Sequence, residues 1–218
     1  MSSEFGYIPE SPTQSFGNNK GIFTPTDIYD LTRADKYTNY GQLELIQTQN
    51  ISSAVAQVDF TSIQETKYSV HLLTWNGIEI QSNNNYIGAR LSNDGGSSYE
   101  SGSNYQYSIQ YNGTAGIEGN LKSTGDTAFE YFNWGDVGDT LSGFLYFYSL
   151  GDSTKYSFMN MQTCINIEAS YGNGFAYYGA QVYAVKETIN AIRLFNYNTS
   201  GNFENKGSFS LYGIEEFA

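Results

Sequence analysis

Chemistry in this chain would have to come from carboxylates, because it contains one His, His71, and one Cys, Cys164. Two acidic groupings are candidates: Asp126 with Glu130, and the cluster Asp136, Asp139 and Asp152. Paired carboxyls cleave a glycosidic bond when one donates a proton and the other attacks or activates water, at a separation of roughly 5 to 10 Å. Spacing along the chain does not give that separation, and acidic proteins carry many loop carboxylates, so solvated loop charge is the expectation. The aspartates of NWGDVGD offer oxygens that calcium could use, but their spacing departs from the EF-hand loop, and no metal site is assigned to them. His71 alternates with Leu73 and Trp75, as a packed strand histidine does. A lone His rules out a His-rich metal site, and no motif around any Ser supports a Ser–His–Asp triad. Cys164 lies in the alternating run TCINIEA; it has no internal disulfide partner and reads as a small buried hydrophobe. The chain is therefore expected to be non-enzymatic and to carry no cofactor.

Binding chemistry is better represented. Trp75, Tyr86, Trp134, Tyr177 and Tyr178 fall at strand ends or in Asn- and Gly-rich stretches such as NGIEIQSNNNY and NGFAYYG. Aromatic faces beside amides suit sugar rings, which makes these five the candidate glycan contacts. The competing expectation is that they cover sheet ends or subunit contacts, where amphipathic rings are common.

The elements that must position these residues are strands. Twenty Tyr and 14 Phe among 218 residues supply strand propensity and large buried area, and 23 Gly with abundant Asn and Ser supply turns. That length fits a single core. The net charge of −12 disfavours binding a phosphate backbone. No apolar run approaches the roughly 20 residues of a membrane helix, and MSSEFGYIPE lacks the regions of a signal peptide, so synthesis in a cytoplasm is expected. Sequons at Asn50, Asn112 and Asn198 read as Asn-rich turns.

Residues 1–38 are expected to form an N-terminal arm and a short attachment helix, and residues 39–218 a β-sandwich domain. The arm carries Phe5, Tyr7, Ile8 and Phe16 on a polar background. It reads either as a disordered tail or, preferably, as an extended segment ordered on a neighbouring subunit. Thr24 and Asp27 form a capping box around Pro25, starting a helix over about 25–35 whose Ile28 and Leu31 share a face. These six apolar residues are the candidate subunit contacts.

Short strands then follow in succession: LELIQ, AVAQVDF, YSVHLLT, NYIGARL, YQYSIQY, GFLYFYSL, KYSFMNM, TCINIEA and QVYAVKE. The fold class they indicate is all-β, an antiparallel, jelly-roll-like β-sandwich. In YQYSIQY, Tyr105, Tyr107, Ile109 and Tyr111 share one face. In GFLYFYSL both faces are apolar, Phe144, Tyr146 and Tyr148 on one and Leu145 and Phe147 on the other, and a two-layer sandwich buries only one of them. The second face is therefore expected to be a subunit interface. The segment from Thr188 to Ile214 reads as a closing hairpin, with 189–195 and 208–214 pairing as neighbouring antiparallel strands.

SNDGGSSY resembles the Asp-box of sialidase-type propellers, but it occurs once, and propellers need repeats of roughly 40 to 50 residues. Asp94 is expected to cap its own turn, with Gly95 and Gly96 supplying positive φ. The blocks FGNNKGIFTPTDIYDLTRADKY, YGQLELIQTQNISSAVAQVDF, RLSNDGGSSYESGSNYQYSIQY and INAIRLF with its LYGI ending together resemble a set of small β-sandwich virion structural proteins of tailed, often marine, bacteriophages. Tyr37 and Thr38 stand where related openings often read Trp-Pro. The resemblance implies a non-enzymatic virion protein, a tail fibre or appendage component that assembles in the bacterial cytoplasm and contacts the host surface. Capsid decoration or a head fibre is the alternative, and a small polysaccharide-degrading enzyme a further one. The implied partners are copies of itself, a trimer by default, other virion proteins through the arm, and host-surface glycan. Recognition would then lie in loops such as 75–86, 133–140 and 172–179.

Overall fold

The computed structural model describes residues 24–34, 43–166, 174–198 and 201–214, with the backbone of 14–15 and 18–19. Phe5, Tyr7, Ile8 and Phe16 lie outside the described residues. The chain divides into two compact units, Met1–Tyr40 and Gly41–Ala218. In the first, β1 (Gln14–Ser15) pairs with β2 (Asn18–Asn19), and α1 spans Pro25–Arg33. The capping box forms as its residue types require: the Asp27 amide donates to Thr24 Oγ1 at 3.2 Å, and the Thr24 amide donates to Asp27 Oδ2 at 2.8 Å. Ile28 is 37% exposed and Leu31 is half-buried.

The second unit is an antiparallel β-sandwich. Its strands are β3 (Leu43–Asn50), β4 (Gln57–Phe60), β5 (Val70–Ile78), β6 (Asn85–Ser92), β7 (Tyr105–Gly113), β8 (Glu118–Asp126), β9 (Trp134–Gly135), β10 (Thr140–Tyr148), β11 (Tyr156–Asn166), β12 (Phe175–Lys186), β13 (Ala191–Asn196) and β14 (Ser208–Ile214). The large sheet runs β3-β14-β5-β10-β11-β12-β7-β8 and the small one β4-β13-β6-β9. Aromatic rings knit the core between them: Tyr105 meets Phe129 edge-on at 4.9 Å, Phe129 meets Phe147 at 6.1 Å, and Phe203 meets Phe209 at 5.3 Å. The alternation seen in the sequence fixes each face. In β11, Ser157, Met159, Met161, Thr163 and Ile165 point inward while every intervening residue is exposed. KYSFMNM and TCINIEA are thus one strand, because nothing at Gln162 breaks the period, and Cys164 is exposed, not buried.

The closing hairpin does not exist. β13 pairs with β4 and β6 in the small sheet, whereas β14 pairs with β3 and β5 in the large one. The segment between them crosses from sheet to sheet, and Phe203, fully buried, bridges Val55 and Ile80 on the way. Alternation reveals which residues face the core but not which strand lies alongside, so both strands were legible and their pairing was not. The antiparallel sandwich stands without the hairpin.

His71 is fully buried, its Nε2 2.8 Å from the Ile63 carbonyl, the packed strand histidine expected. Burial pushes its pKa from 6.5 down to about 4, against the opposing pull of the Ile63 carbonyl. The unfolded chain therefore binds a proton first. This group's stabilising contribution is complete above its ordinary value and is lost as pH falls through about 4. Thermal melts of His71→Gln are expected to show a shallower acid limb than the parent protein, and an unchanged slope would refute the assignment.

The outward face of the large sheet is strongly apolar. One lateral row runs Leu43, Ile214, Val70, Tyr148, Phe158 and Val182, and the next runs Leu45, Tyr212, Leu72, Tyr146, Asn160 and Ala180. Tyr148 stacks on Phe158 with ring centroids 5.5 Å apart. Leu45 is 59%, Phe158 42% and Phe144 39% exposed. Over these six strands neither row contains an Asp, Glu, Lys or Arg; the second continues through Ser108 of β7 to Lys122 of β8.

Candidate aromatic cleft

Eight strands face four, so the inner face of the large sheet extends past its partner on the β7–β8 side. A cleft of about 260 Å³ opens there, lined by Tyr111, Ile117, Leu121, Tyr131, Trp134, Phe175 and Tyr177. Tyr111 and Tyr177 are direct cross-strand partners with ring centroids 5.6 Å apart. Two glycines let the rings lie across neighbouring strands. Gly119 pairs with Tyr111 and Gly113 with Phe175, and a Cβ on Gly119 would meet the Tyr111 ring at 2.5 Å and one on Gly113 the Phe175 ring at 2.7 Å. An aromatic folded over a glycine of the next strand covers the bare backbone and turns its own face outward. The result is a shallow aromatic floor, the form of surface on which the apolar face of a sugar ring can rest.

The wall comes from the segment after β8. Residues 127–135 run beside β6: Ala89 and Phe129 exchange backbone hydrogen bonds of 2.9 Å, and β9 pairs Tyr86 with Trp134. The Trp134 indole N–H donates to Asn84 Oδ1 at 2.9 Å. The loop behind it is tied by amides and aspartates. The Asn84 amide donates to Asp136 Oδ1 at 2.6 Å, the Val137 amide to Asn83 Oδ1 at 3.0 Å, and the Asp136 amide to Asp139 Oδ2 at 2.8 Å. Asp136 and Asp139 thus shape the turn that carries Trp134. Asp152 caps its own turn through Thr154 and Lys155. Asp94 behaves likewise: hydrogen bonds from Ser98, first its hydroxyl and then its amide, hold its carboxyl down to about 2, and Gly95 and Gly96 adopt φ of +74° and +87°. Among the described residues no cluster of three or more His, Cys, Asp or Glu could hold a metal ion.

Tyr131, the middle of the wall, has φ +58°, a conformation that costs a bulky residue energy and persists only when its surroundings enforce it. Tyr86 stacks on it at 4.4 Å and Tyr107 meets it edge-on at 5.5 Å. Behind it lie Asp126 and Glu130, the one carboxylate pair from the sequence that the fold brings together. Glu130 is only 2% exposed, and burial first, then the neighbouring Asp126 carboxyl, pushes its pKa up to about 8.

Of the five candidate glycan contacts, Trp134 and Tyr177 line the cleft, and Tyr86 supports it from behind. Tyr178 lies on the opposite face of β12, 38% exposed, in a polar groove with Gln110, Asn112 and Asn120. Trp75 must be withdrawn as a surface contact. It is 2% exposed, donates to Asn133 Oδ1 at 2.7 Å, and stacks on Phe132 at 6.0 Å, so no ligand reaches it. Tyr177 is itself 5% exposed and offers only part of its ring. Tyr111, Tyr131 and Phe175 also line the cleft and are not among the five candidates. The pairing of an aromatic with a facing glycine was the signal available, but it needs the register to be known. The chain matches no family model, no curated protein and no solved structure.

Proposed function

We propose that the chain is a non-enzymatic virion structural protein of a tailed bacteriophage, a tail fibre or appendage component. In this reading it contacts host-surface glycan through the cleft and assembles with copies of itself through the outward face of the large sheet. The virion role follows from the sequence resemblance. The glycan role rests on one observation, a cleft in which Tyr111 and the exposed edge of the largely buried Tyr177 lie beside Trp134. Self-assembly is supported by charge. Copies of a chain with net charge −12 repel one another, and the two apolar rows offer a surface free of acidic and basic side chains. The same face would serve a capsid-decorating or head-fibre protein, and imaging of labelled particles separates the two locations. Hydrolysis fits the site less well. A glycosidase needs both carboxyls to face the substrate across a cleft, whereas Glu130 is only 2% exposed.

The two tryptophans make the test convenient, since Trp75 is buried and Trp134 borders the cleft. Titration of the full chain with bacterial lipopolysaccharide, capsular polysaccharide or peptidoglycan fragments is expected to perturb Trp134 emission saturably without releasing reducing ends. Trp134→Ala is expected to weaken that binding roughly 30-fold, the effect of losing a hot-spot contact of about 2 kcal/mol. Absence of saturable binding to all three, or affinity indifferent to Trp134→Ala, would overturn the glycan assignment.

A further inference from the structure

The outward face of the large sheet changes character beyond its two apolar rows. The next lateral row runs Thr74, Phe144, Gln162, Tyr178, Gln110 and Asn120, from β5 to β8, each residue paired with the next across the ladder. The row after it runs Ser142, Cys164, Ala176, Asn112 and Glu118. Because side chains alternate along each strand, the large apolar neighbours of these residues, such as Leu145, Ile165 and Tyr177, turn into the core. What stays outside is a band of amides and hydroxyls carrying two exposed rings, Phe144 at 39% and Tyr178 at 38%.

The two rings stand in one row on β10 and β12, two strands apart, and therefore about 10 Å from each other. The amides of Gln162, Gln110 and Asn120 are exposed, and no described residue bonds them. Asn112 Nδ2 donates to the Tyr178 hydroxyl at 3.0 Å, which fixes the phenol and leaves its own proton to donate. Beside Tyr178 the band deepens into a groove of about 380 Å³ between β7 and β8, lined by Gln110, Asn112, Glu118 and Asn120. Along these two rows the one charged side chain is Glu118, at the β8 edge. Solvated faces ordinarily carry Lys and Glu, and protein-binding faces concentrate apolar area at their centre; this band does neither. Amides and hydroxyls are what the hydroxyls of an uncharged sugar bond, and exposed rings cover its apolar faces.

We propose that this band is a second glycan site, separate from the cleft, that takes an extended, uncharged β-1,4-linked polysaccharide laid across the strands. The fit is one of matching repeats. In such a chain the rise per sugar is close to the spacing of neighbouring strands, about 4.8 Å, and each ring is turned over relative to the one before it. Every second ring then offers the same face, and Phe144 and Tyr178 stand where two such rings fall. The ring between them lies over Gln162, whose amide reaches its hydroxyls, and the chain continues over Gln110 and Asn120 into the groove. An α-1,4-linked chain coils and cannot keep that register. Anionic polysaccharides are disfavoured by the net charge of −12. The band does not depend on the cleft, since Tyr178 and Tyr177 point to opposite faces of β12 and either site can exist without the other.

Cys164 supplies the readout, because the single thiol of the chain is exposed within the band, between Ser142 and Ala176. Alkylation of the full chain by iodoacetamide is expected to be slowed saturably by cellohexaose or chitohexaose and to be unaffected by maltohexaose. Tyr178→Ala and Phe144→Ala are each expected to raise the half-protecting concentration roughly tenfold with far-UV circular dichroism unchanged, while Trp134→Ala leaves it unmoved. Protection by neither β-1,4-linked hexasaccharide, equal protection by maltohexaose, or protection indifferent to both ring variants overturns the proposal. Protection lost in Trp134→Ala assigns the binding to the cleft and overturns it as well. Protection of Cys164 without any saturable change in Trp134 emission leaves the band standing and sinks only the cleft.

Discussion

Phe203→Ala is expected to destabilise the protein by roughly 3–5 kcal/mol, a large share of the 5–15 kcal/mol that holds a typical domain folded. Phe203 is fully buried and sits on the only described route from β13 to β14, where its backbone bonds to Val55 at 2.8 and 3.2 Å. Its ring meets Phe209 of the large sheet edge-on while its backbone bridges to Val55 and Ile80, so one side chain pins a sheet-to-sheet crossing. Truncation leaves a cavity that the two sheets cannot collapse to fill, because their separation is set by the other aromatics around it. Urea unfolding followed by circular dichroism measures the loss. Phe203→Leu, which keeps most of the volume, is expected to cost well under half as much. A loss for the alanine variant below about 1 kcal/mol would mean that the crossing does not anchor the sandwich.

The second large effect concerns assembly. Phe158→Asp is expected to raise the dissociation constant for self-association roughly 30-fold or more, since a carboxylate trapped unpaired in an apolar contact costs at least about 2 kcal/mol. Phe158 is 42% exposed in the single chain, so the change leaves the core untouched and the melting temperature of the dissociated protein should barely move. Sedimentation across a concentration series distinguishes the outcomes. Leu45→Asp in the adjacent row is expected to act in the same direction, while Gln110→Asp in the polar groove beside Tyr178 should act little. If parent and Phe158→Asp proteins sediment alike at every concentration, the outward face is not the contact between copies.

Much of the architecture could be read from period alone. The shared face of Tyr105, Tyr107, Ile109 and Tyr111 is the inward one, and of the two apolar faces of β10 the one with Leu145 and Phe147 is buried, whereas the alternation of β11 runs through a strand read as two and leaves Cys164 exposed. β8 escaped notice because EGNLKSTGD has little strand propensity and a single large apolar residue, Leu121; it is an edge strand held by its ladder to β7. The cleft depended on that missing strand, on the unequal width of the two sheets and on which glycine faces which ring, none of which a linear pattern specifies. Trp75 illustrates the converse failure. Its Asn- and Gly-rich neighbourhood suggested a loop, yet Gly77 has φ +66° at the end of a long central strand, and the indole turns inward to Asn133.

The position of β14 between β3 and β5 has a kinetic meaning. The last described strand slots between two that come early in the chain, so β5 keeps an unpaired side, and β3 has no neighbour among the other described strands, until the chain through Ile214 has been synthesised. Closing such distant pairs is slow, on the scale of milliseconds to seconds for β-sandwiches, and during that wait an apolar edge is open to other nascent chains. LELIQTQN carries one charged residue, Glu44, to discourage mispairing. Yield on expression should therefore respond more steeply to temperature and to truncation before Ser208 than the stability of the finished sandwich would suggest.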